Sequence, residues 1–469
     1  MRALLVSTYE LGHQPLHLAS PAAALAEAGH EVRCVDLAVE ELDPADVDWA
    51  EVAAFSVPMH TATRLAVQAA SSVRARRPGL PLCAYGLYAG AAPGFDAALA
   101  GEYEPALVDW VGRGGVPGGG GAGPAPVRVD LGRHRPAVPR REGLPGLSRY
   151  ARLLRDGTAA GPAVPAGYVE ASHGCVHRCR HCPVPVVYDG RIRTVPVDTV
   201  MADVDHQVEM GAGHITFGDP DFLNGPQHAL RVARAFHRRH AGVTFDVTTK
   251  VEHVLRHRAL LAELADAGLL FVVSAFESVD DRVLERLDKG HTAADAAVAT
   301  SLLRGHGVEV RPSLLPFTPW TTVPGVVALL DFVTAHDLVA NVDPVQYSIR
   351  LLLPPGSLLL DDPDVGATLG PYDPAALSHP WRSAHPGVDE LQAELATVVE
   401  AGGEADAVDV FPEVHATVAR AAAEAGRPGP RPLALPSPAR RVPRLSEAWF
   451  CCAEPTQVQL ASARGRGHP

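Results

Sequence analysis

Three cysteines, Cys175, Cys179 and Cys182, fall within eight residues, in the segment 167–183 (GYVEASHGCVHRCRHCP). Thiolates packed this closely on one glycine-containing loop are ligand material. Two metals compete for them. Zinc closes a four-ligand tetrahedral site, which His173, His177 or His181 would complete. An iron–sulfur cluster held by three cysteines instead leaves one iron open to an external ligand. A closed site serves structure, an open one catalysis. A second pair, Cys451 and Cys452, is adjacent near the C-terminus. Vicinal thiols close a strained, labile ring disulfide, which points to redox or nucleophilic work. Cys34 and Cys83 stand alone among apolar residues and read as small core hydrophobes.

Such ligands need a scaffold, and the apolar pattern describes one. Residues 2–7 read as a buried strand, 21–28 as an Ala-rich helix ended by Gly29, and 30–37, 52–57 and 80–85 as further strands, with a helix over about 61–75. Strands alternating with helices predict a parallel, doubly wound sheet. No G-x-G-x-x-G follows the first strand, so a dinucleotide lacks its phosphate-binding turn. Residues 112–126 (GRGGVPGGGGAGPAP) read as a low-complexity loop, and 133–155 as a Pro- and Arg-rich linker. A second series predicts strands over 166–171, 214–217, 243–249, 269–276, 308–314 and 344–351, with helices over 198–210 and 227–240. Six β/α units predict a partial barrel with its chemistry at the C-terminal strand ends. Cys175, Asp219, Lys250, Glu277, Ser313 and Arg350 collect there. Helices over 388–401 and 414–425 follow, then an extended strap from 427.

The whole chain bounds these readings. Its 469 residues suffice for two or three domains. A net charge of −13 argues against a general nucleic-acid binder. No apolar run approaches the ~18 residues of a membrane span, and the opening MRALLVSTYE lacks a signal peptide's apolar region, so a cytoplasmic protein with no membrane partner is expected. Seven cysteines in this length do not make a secreted disulfide scaffold.

C-x3-C-x2-C after the first strand of a β/α barrel resembles the radical SAM superfamily. The resemblance implies that Cys175, Cys179 and Cys182 bind a [4Fe–4S] cluster whose fourth iron is chelated by S-adenosylmethionine (SAM), and that the reduced cluster cleaves SAM to a 5′-deoxyadenosyl radical. His181 stands where that family has an aromatic residue. By the same resemblance Gly218 and Asp219, in ITFGDPD, contact the methionine amino group. Glu277 makes a further polar contact to SAM, Arg311 and Ser313 meet its carboxylate or ribose, and Gln346 lies near adenine. Asp219, Asp221 and Glu277 have a plainer alternative as helix caps. The stretch GEYE at 101–104 resembles the end of cobalamin-binding-like domains fused to such barrels, yet D-x-H-x-x-G is missing and His13 is out of register. Cobalamin then either binds without a histidine ligand or the domain serves substrate and packing. The tail AWFCCAEPTQ, with VPMHTATRLA, PFTPWTT and IRLLLPPGS, resembles the CUAEP/CCAEP-tail radical SAM (seleno)proteins, some of which carry selenocysteine where this chain has Cys452.

The expected fold is therefore α/β: a Rossmann-like, cobalamin-binding-like domain over 1–126, a linker over 127–165, a partial (β/α)6 radical SAM barrel over 166–360, a helical C-terminal cap over 361–426 and a tail over 427–469 bearing the catalytic candidates Cys451 and Cys452. The expected activity is reductive SAM cleavage opening radical chemistry on a small molecule or peptide, with a flavodoxin or ferredoxin as reductant. Cobalamin-dependent radical methylation and sulfur or selenium insertion are the alternative reactions, and an iron–sulfur redox sensor is the alternative of another class. A tRNA substrate is disfavoured by the charge.

Overall fold

The computed structural model describes residues 1–469 except 117–124, 159–160, 404, 434, 436–441 and 448–469. The first apolar series forms one parallel sheet from β1 (Arg2–Ser7), β2 (Glu31–Asp36), β3 (Val52–Ser56), β4 (Leu82–Tyr85), β5 (Ala97–Gly101) and β6 (Val127–Asp130), in the order β2-β1-β3-β4-β5-β6. Alternate residues of a strand face opposite ways. Leu4, Val6 and Phe55 pack with Ala66 and Val73 of the helix His60–Arg76, whereas Leu5 and Ala54 pack with Leu18 and Leu25 of the helix Leu16–Glu27. The two helices cover opposite faces, so the winding reverses between β1 and β3. The C-terminal ends of these strands open the crevice where doubly wound sheets take ligands.

The helix Leu16–Glu27 starts before the predicted residue 21 and holds Pro21 in its interior. Proline has no N–H for the carbonyl four residues back. Here that carbonyl, of His17, accepts from the Tyr85 hydroxyl at 2.7 Å. The first sheet also runs past the expected boundary at 126, because β6, assigned to the linker, pairs with β5. β5 itself (AALAG) has an Ala/Gly composition around a single Leu99 that gives only a weak strand signal.

The second sheet contains β7 (Arg152–Leu154), β8 (Ala163–Val169), β11 (His214–Phe217), β12 (Thr244–Thr249), β13 (Leu269–Glu277), β14 (Glu309–Leu314) and β15 (Arg444–Leu445), in the order β14-β13-β12-β11-β8-β7-β15. β8 and β11–β14 are parallel and curl into a half-barrel, while β7 and β15 add antiparallel strands at one edge. A separate hairpin, β9 (Ser172–Gly174) with β10 (Ile192–Thr194), follows β8. The predicted sixth parallel strand over 344–351 is not formed. Residues Pro344–Tyr347 make a 3-10 turn, and a single parallel bridge joins Phe317 to Arg350. Pro344 has no N–H to give a ladder, and the Leu314 N–H donates to Gln346 Oε1 at 2.7 Å rather than to a strand carbonyl.

The C-terminal helices Val388–Gly402 and Ala407–Glu424 share the barrel's core, into which Leu391, Leu395, Phe411 and Val414 are buried. The chain then returns, and β15 lies against β7. No helix among the described residues is long and apolar enough to cross a membrane.

Candidate active site

The cysteine loop leaves the hairpin strand β9 through Gly174, whose φ is +74°. A Cβ at this position would stand 2.3 Å from the Arg191 carbonyl oxygen, so the turn requires glycine. Cys175 and Cys179 are buried, Cys182 is half-buried, and none of them is in a disulfide. Neighbouring elements pin the loop. Asn224 Oδ1 accepts from the Cys175 thiol at 3.5 Å and from the Val176 N–H at 3.3 Å. The Arg180 N–H donates to the Leu287 carbonyl, and its guanidinium pairs with Asp362 at 2.8 Å. Burial pushes the Cys175 thiol up to about 12 and raises Cys179 as well. A cation is what would hold both as thiolates.

The strand ends bring the other predicted residues to the same place. Gly218 follows β11, and a side chain there would drive into the Tyr168 ring at 2.0 Å. Asp219 is buried and spoken for: Oδ1 accepts from the Ala171 N–H at 2.8 Å and Oδ2 from the Ser172 hydroxyl. Burial outweighs these bonds and lifts its carboxyl to about 7. Asp221 is a cap, accepting from the Leu223 N–H at 3.0 Å and the Thr249 hydroxyl at 2.7 Å. Glu277 ends β13 at φ +60° and binds Lys289 at 3.1 Å and His181 Nε2 at 3.2 Å. Burial opposes its charge, but Lys289 and His181 win and hold the carboxyl well below the carboxylate range. Arg311 is buried with Nη2 on Asp343, and its Nη1 has no hydrogen-bond partner among the described residues. Arg350 lies elsewhere, stacked 3.7 Å over Trp381 and paired with Asp389.

Cys175, Cys179, His181, Cys182, Gly218, Asp219, Glu277, Arg311, Ser313 and Gln346 all line one cavity of about 330 Å³. The pair Cys451 and Cys452 lies outside the described residues. The opposite wall comes from the first domain, including Glu10 and His13 after β1 and Pro58 and Met59 after β3, at the crevice of the doubly wound sheet. His13 is buried against the Tyr168 ring at 4.9 Å, and burial lowers it to about 4. Between the domains runs an alternating chain of acids and imidazoles. Glu10 meets His17 at 3.0 Å, His17 meets Glu170 at 3.9 Å, Glu170 meets His173 at 3.4 Å, and His173 meets Glu102 at 3.0 Å. Burial alone would neutralise His17, yet Glu10 and Glu170 raise it to about 9. Asn224 and Lys289 gave no sequence signal, since folding alone brings them to the site, while Tyr168 and Glu170 lie in the cysteine segment itself but match no motif there.

Residues 169–329 match the profile of the radical SAM superfamily. The chain is similar to the hopanoid C-3 methylase of Methylococcus capsulatus, 25% identical over 335 residues, which cover 66% of this chain and 62% of that protein. Its fold is similar to that of the radical SAM methyltransferase TsrM from Kitasatospora setae, solved with tryptophan and a SAM analogue (TM-score 0.55, 19% identity, 72% of this chain and 71% of that one). It is also similar to OxsB, a cobalamin-dependent SAM radical enzyme solved with aqua-cobalamin (TM-score 0.63, 13% identity, 86% and 67%). The segment that spans the cysteine loop and β11–β14, residues 169–329, thus belongs to the radical SAM superfamily.

Proposed function

We propose that this chain is a radical SAM enzyme in which Cys175, Cys179 and Cys182 hold a [4Fe–4S] cluster and the cavity receives SAM and a small-molecule or peptide substrate. The observation that carries this reading is the meeting of three thiols from one loop with the polar strand-end residues in one cavity. The donor set fits: three soft ligands, none in a disulfide, on a loop pinned at both ends. Bound there, the cluster and SAM supply one-electron reductive cleavage of a carbon–sulfur bond. The chain does the rest. Arg311 Nη1 offers an unused, buried donor for a carboxylate. Ser313 and Gln346 flank it on the cavity wall. Asp219 spends both oxygens on Ala171 and Ser172, where β9 leads into the loop, so it would steady the approach to the cysteines and keep its remaining lone pairs for the ammonium of a bound methionine. The walls exclude water and stray hydrogen donors. A flavodoxin or ferredoxin of the cytoplasm is the proposed reductant.

The test is anaerobic reconstitution with iron and sulfide, then SAM and dithionite, with 5′-deoxyadenosine as the readout. A brown protein that forms the nucleoside, and a Cys179→Ala variant that is colourless and inert, are the expected results. A colourless wild-type chain that retains zinc on the trio overturns the reading.

A second reading, methyl transfer with cobalamin, is favoured by one feature: the crevice at β1 and β3 opens into the same cavity as the cysteine loop. His13, Pro58 and Gly86 line that side, and the curated relative is a methylase. Retention of added hydroxocobalamin through gel filtration supports it, and loss of all colour from the corrin opposes it. The CCAEP-tail relationship is also proposed, with Cys451 and Cys452 as a redox pair. Its support is that Leu445 and Glu447 line the cavity, and four more residues of chain reach at most ~14 Å. A Cys452→Ser enzyme that forms product at the wild-type yield removes the pair from the reaction.

A further inference from the structure

A group outside the cavity's cysteines has the composition of a second metal site. His177 lies on the cluster loop between Cys175 and Cys179, Asp221 follows β11, and His253 follows β12. One ligand atom from each lies within 4.8 Å of the others. The two imidazole Nε2 atoms are 3.0 Å apart, close to the roughly 3.3 Å between two nitrogens on one tetrahedral zinc. His253 Nδ1 stands 2.9 Å from Asp221 Oδ2, yet no hydrogen bond satisfies that nitrogen. His253 thus turns Nε2 to His177 and Nδ1 to Asp221; a single ion takes only one of these nitrogens, and one ligand atom from each of the three residues still falls within 4.8 Å of the others.

The surroundings suit a divalent cation. Asp221 is oriented by the Thr249 hydroxyl and the Leu223 N–H, and Glu252 Oε2 lies 3.6 Å from His177 Nδ1, where a ligating histidine places an acceptor for its other nitrogen. Lys250 at 3.6 Å and Arg256 both pair with Glu252, whereas Asp221 meets no Lys or Arg side chain within ion-pair distance among the described residues, so its charge is left for a cation. His253 and Asp221 are buried, while His177 is partly open and gives a path for the ion and room for a water as fourth ligand.

We propose that His177, His253 and Asp221 bind one zinc-class divalent cation, which staples the cysteine loop to the ends of β11 and β12. Two histidines and one carboxylate, with no sulfur, form a nitrogen–oxygen set distinct from the thiolates alongside. The site stands apart from the reading of the trio as cluster ligands, and the experiment separates the two. Protein carrying its reconstituted iron–sulfur cluster is equilibrated with zinc and desalted. Iron and zinc are counted per chain, and zinc-edge X-ray absorption reads the zinc ligands. The expected result is one zinc per chain in a nitrogen–oxygen shell with imidazole scattering, lost in His253→Gln while the iron content stays at the wild-type value. No zinc in the cluster-loaded wild type overturns the site, as does zinc fully retained by His253→Gln. A zinc shell containing sulfur also overturns it, and with iron absent that result overturns the cluster assignment too.

Discussion

Gly174 shows how much of the cysteine loop's chemistry rests on a residue without a side chain. Its φ of +74° costs any L-residue about 1–2 kcal/mol, and a Cβ would stand 2.3 Å from the Arg191 carbonyl oxygen. Backbone cannot retreat as a flexible side chain can, so Gly174→Ala shifts Cys175 against Cys179 and Cys182. Reconstituted iron per chain should fall several-fold in this variant with its circular dichroism unchanged; full iron loading would show that the turn does not set the ligand geometry. Lys289 is the companion case on the other side of the loop. It is buried against Glu277 at 3.1 Å, and removing one partner of a buried pair leaves an uncompensated charge, at about 3–5 kcal/mol. Lys289→Met should lower the denaturation midpoint, and the double variant Lys289→Met, Glu277→Gln should recover most of the loss. The cysteines were legible because their spacing is local in sequence. Asn224, His253 and Lys289 were not: the first two meet the loop across 48 to 76 positions that folding alone closes, Lys289 reaches it only through Glu277, and nothing in their own neighbourhoods marks them.

At the scale of elements, what could be read and what could not follow one physical line. Strands buried on both faces are continuous apolar runs, so β1, β3, β11 and β13 stood out. β5 is alanine and glycine around a single Leu99 and gives only a weak strand signal, and the expected sixth barrel strand was an apolar stretch whose Pro344 turns it aside. Pro21 misled in the other direction, since a proline reads as a helix start and here sits mid-helix. The fold tolerates it through one distant hydroxyl, Tyr85 to the His17 carbonyl. Leaving a buried acceptor without a donor costs about 1–3 kcal/mol. Tyr85→Phe should therefore lower the unfolding free energy of the first domain, read by urea denaturation, by that much, while Pro21→Ala in the Tyr85→Phe background should restore part of it by returning the missing N–H. A phenylalanine variant as stable as the wild type would mean the helix satisfies His17 in another way.

The molecule as a whole is organised around a cavity that neither domain encloses alone. The sequence announced two α/β halves but not that the crevice of one faces the barrel mouth of the other, because the residues that join them are scattered acids and histidines. Their chain from Glu10 through His17, Glu170 and His173 to Glu102 crosses the seam twice. It makes the seam sensitive to pH through His17. Burial disfavours the charged ring and His173 repels it, but Glu10 and Glu170 more than compensate, so the folded value of about 9 lies above the unfolded value of about 6.5. A raised value means that the contribution is complete below about pH 6.5 and is lost as the pH rises through about 9. At full strength it is on the order of 3 kcal/mol. His17→Gln keeps the size of the ring without the charge, so its stability deficit should be largest near pH 6 and close to zero near pH 10. A deficit that stays constant with pH would assign His17 to packing alone and leave the seam held by its apolar contacts.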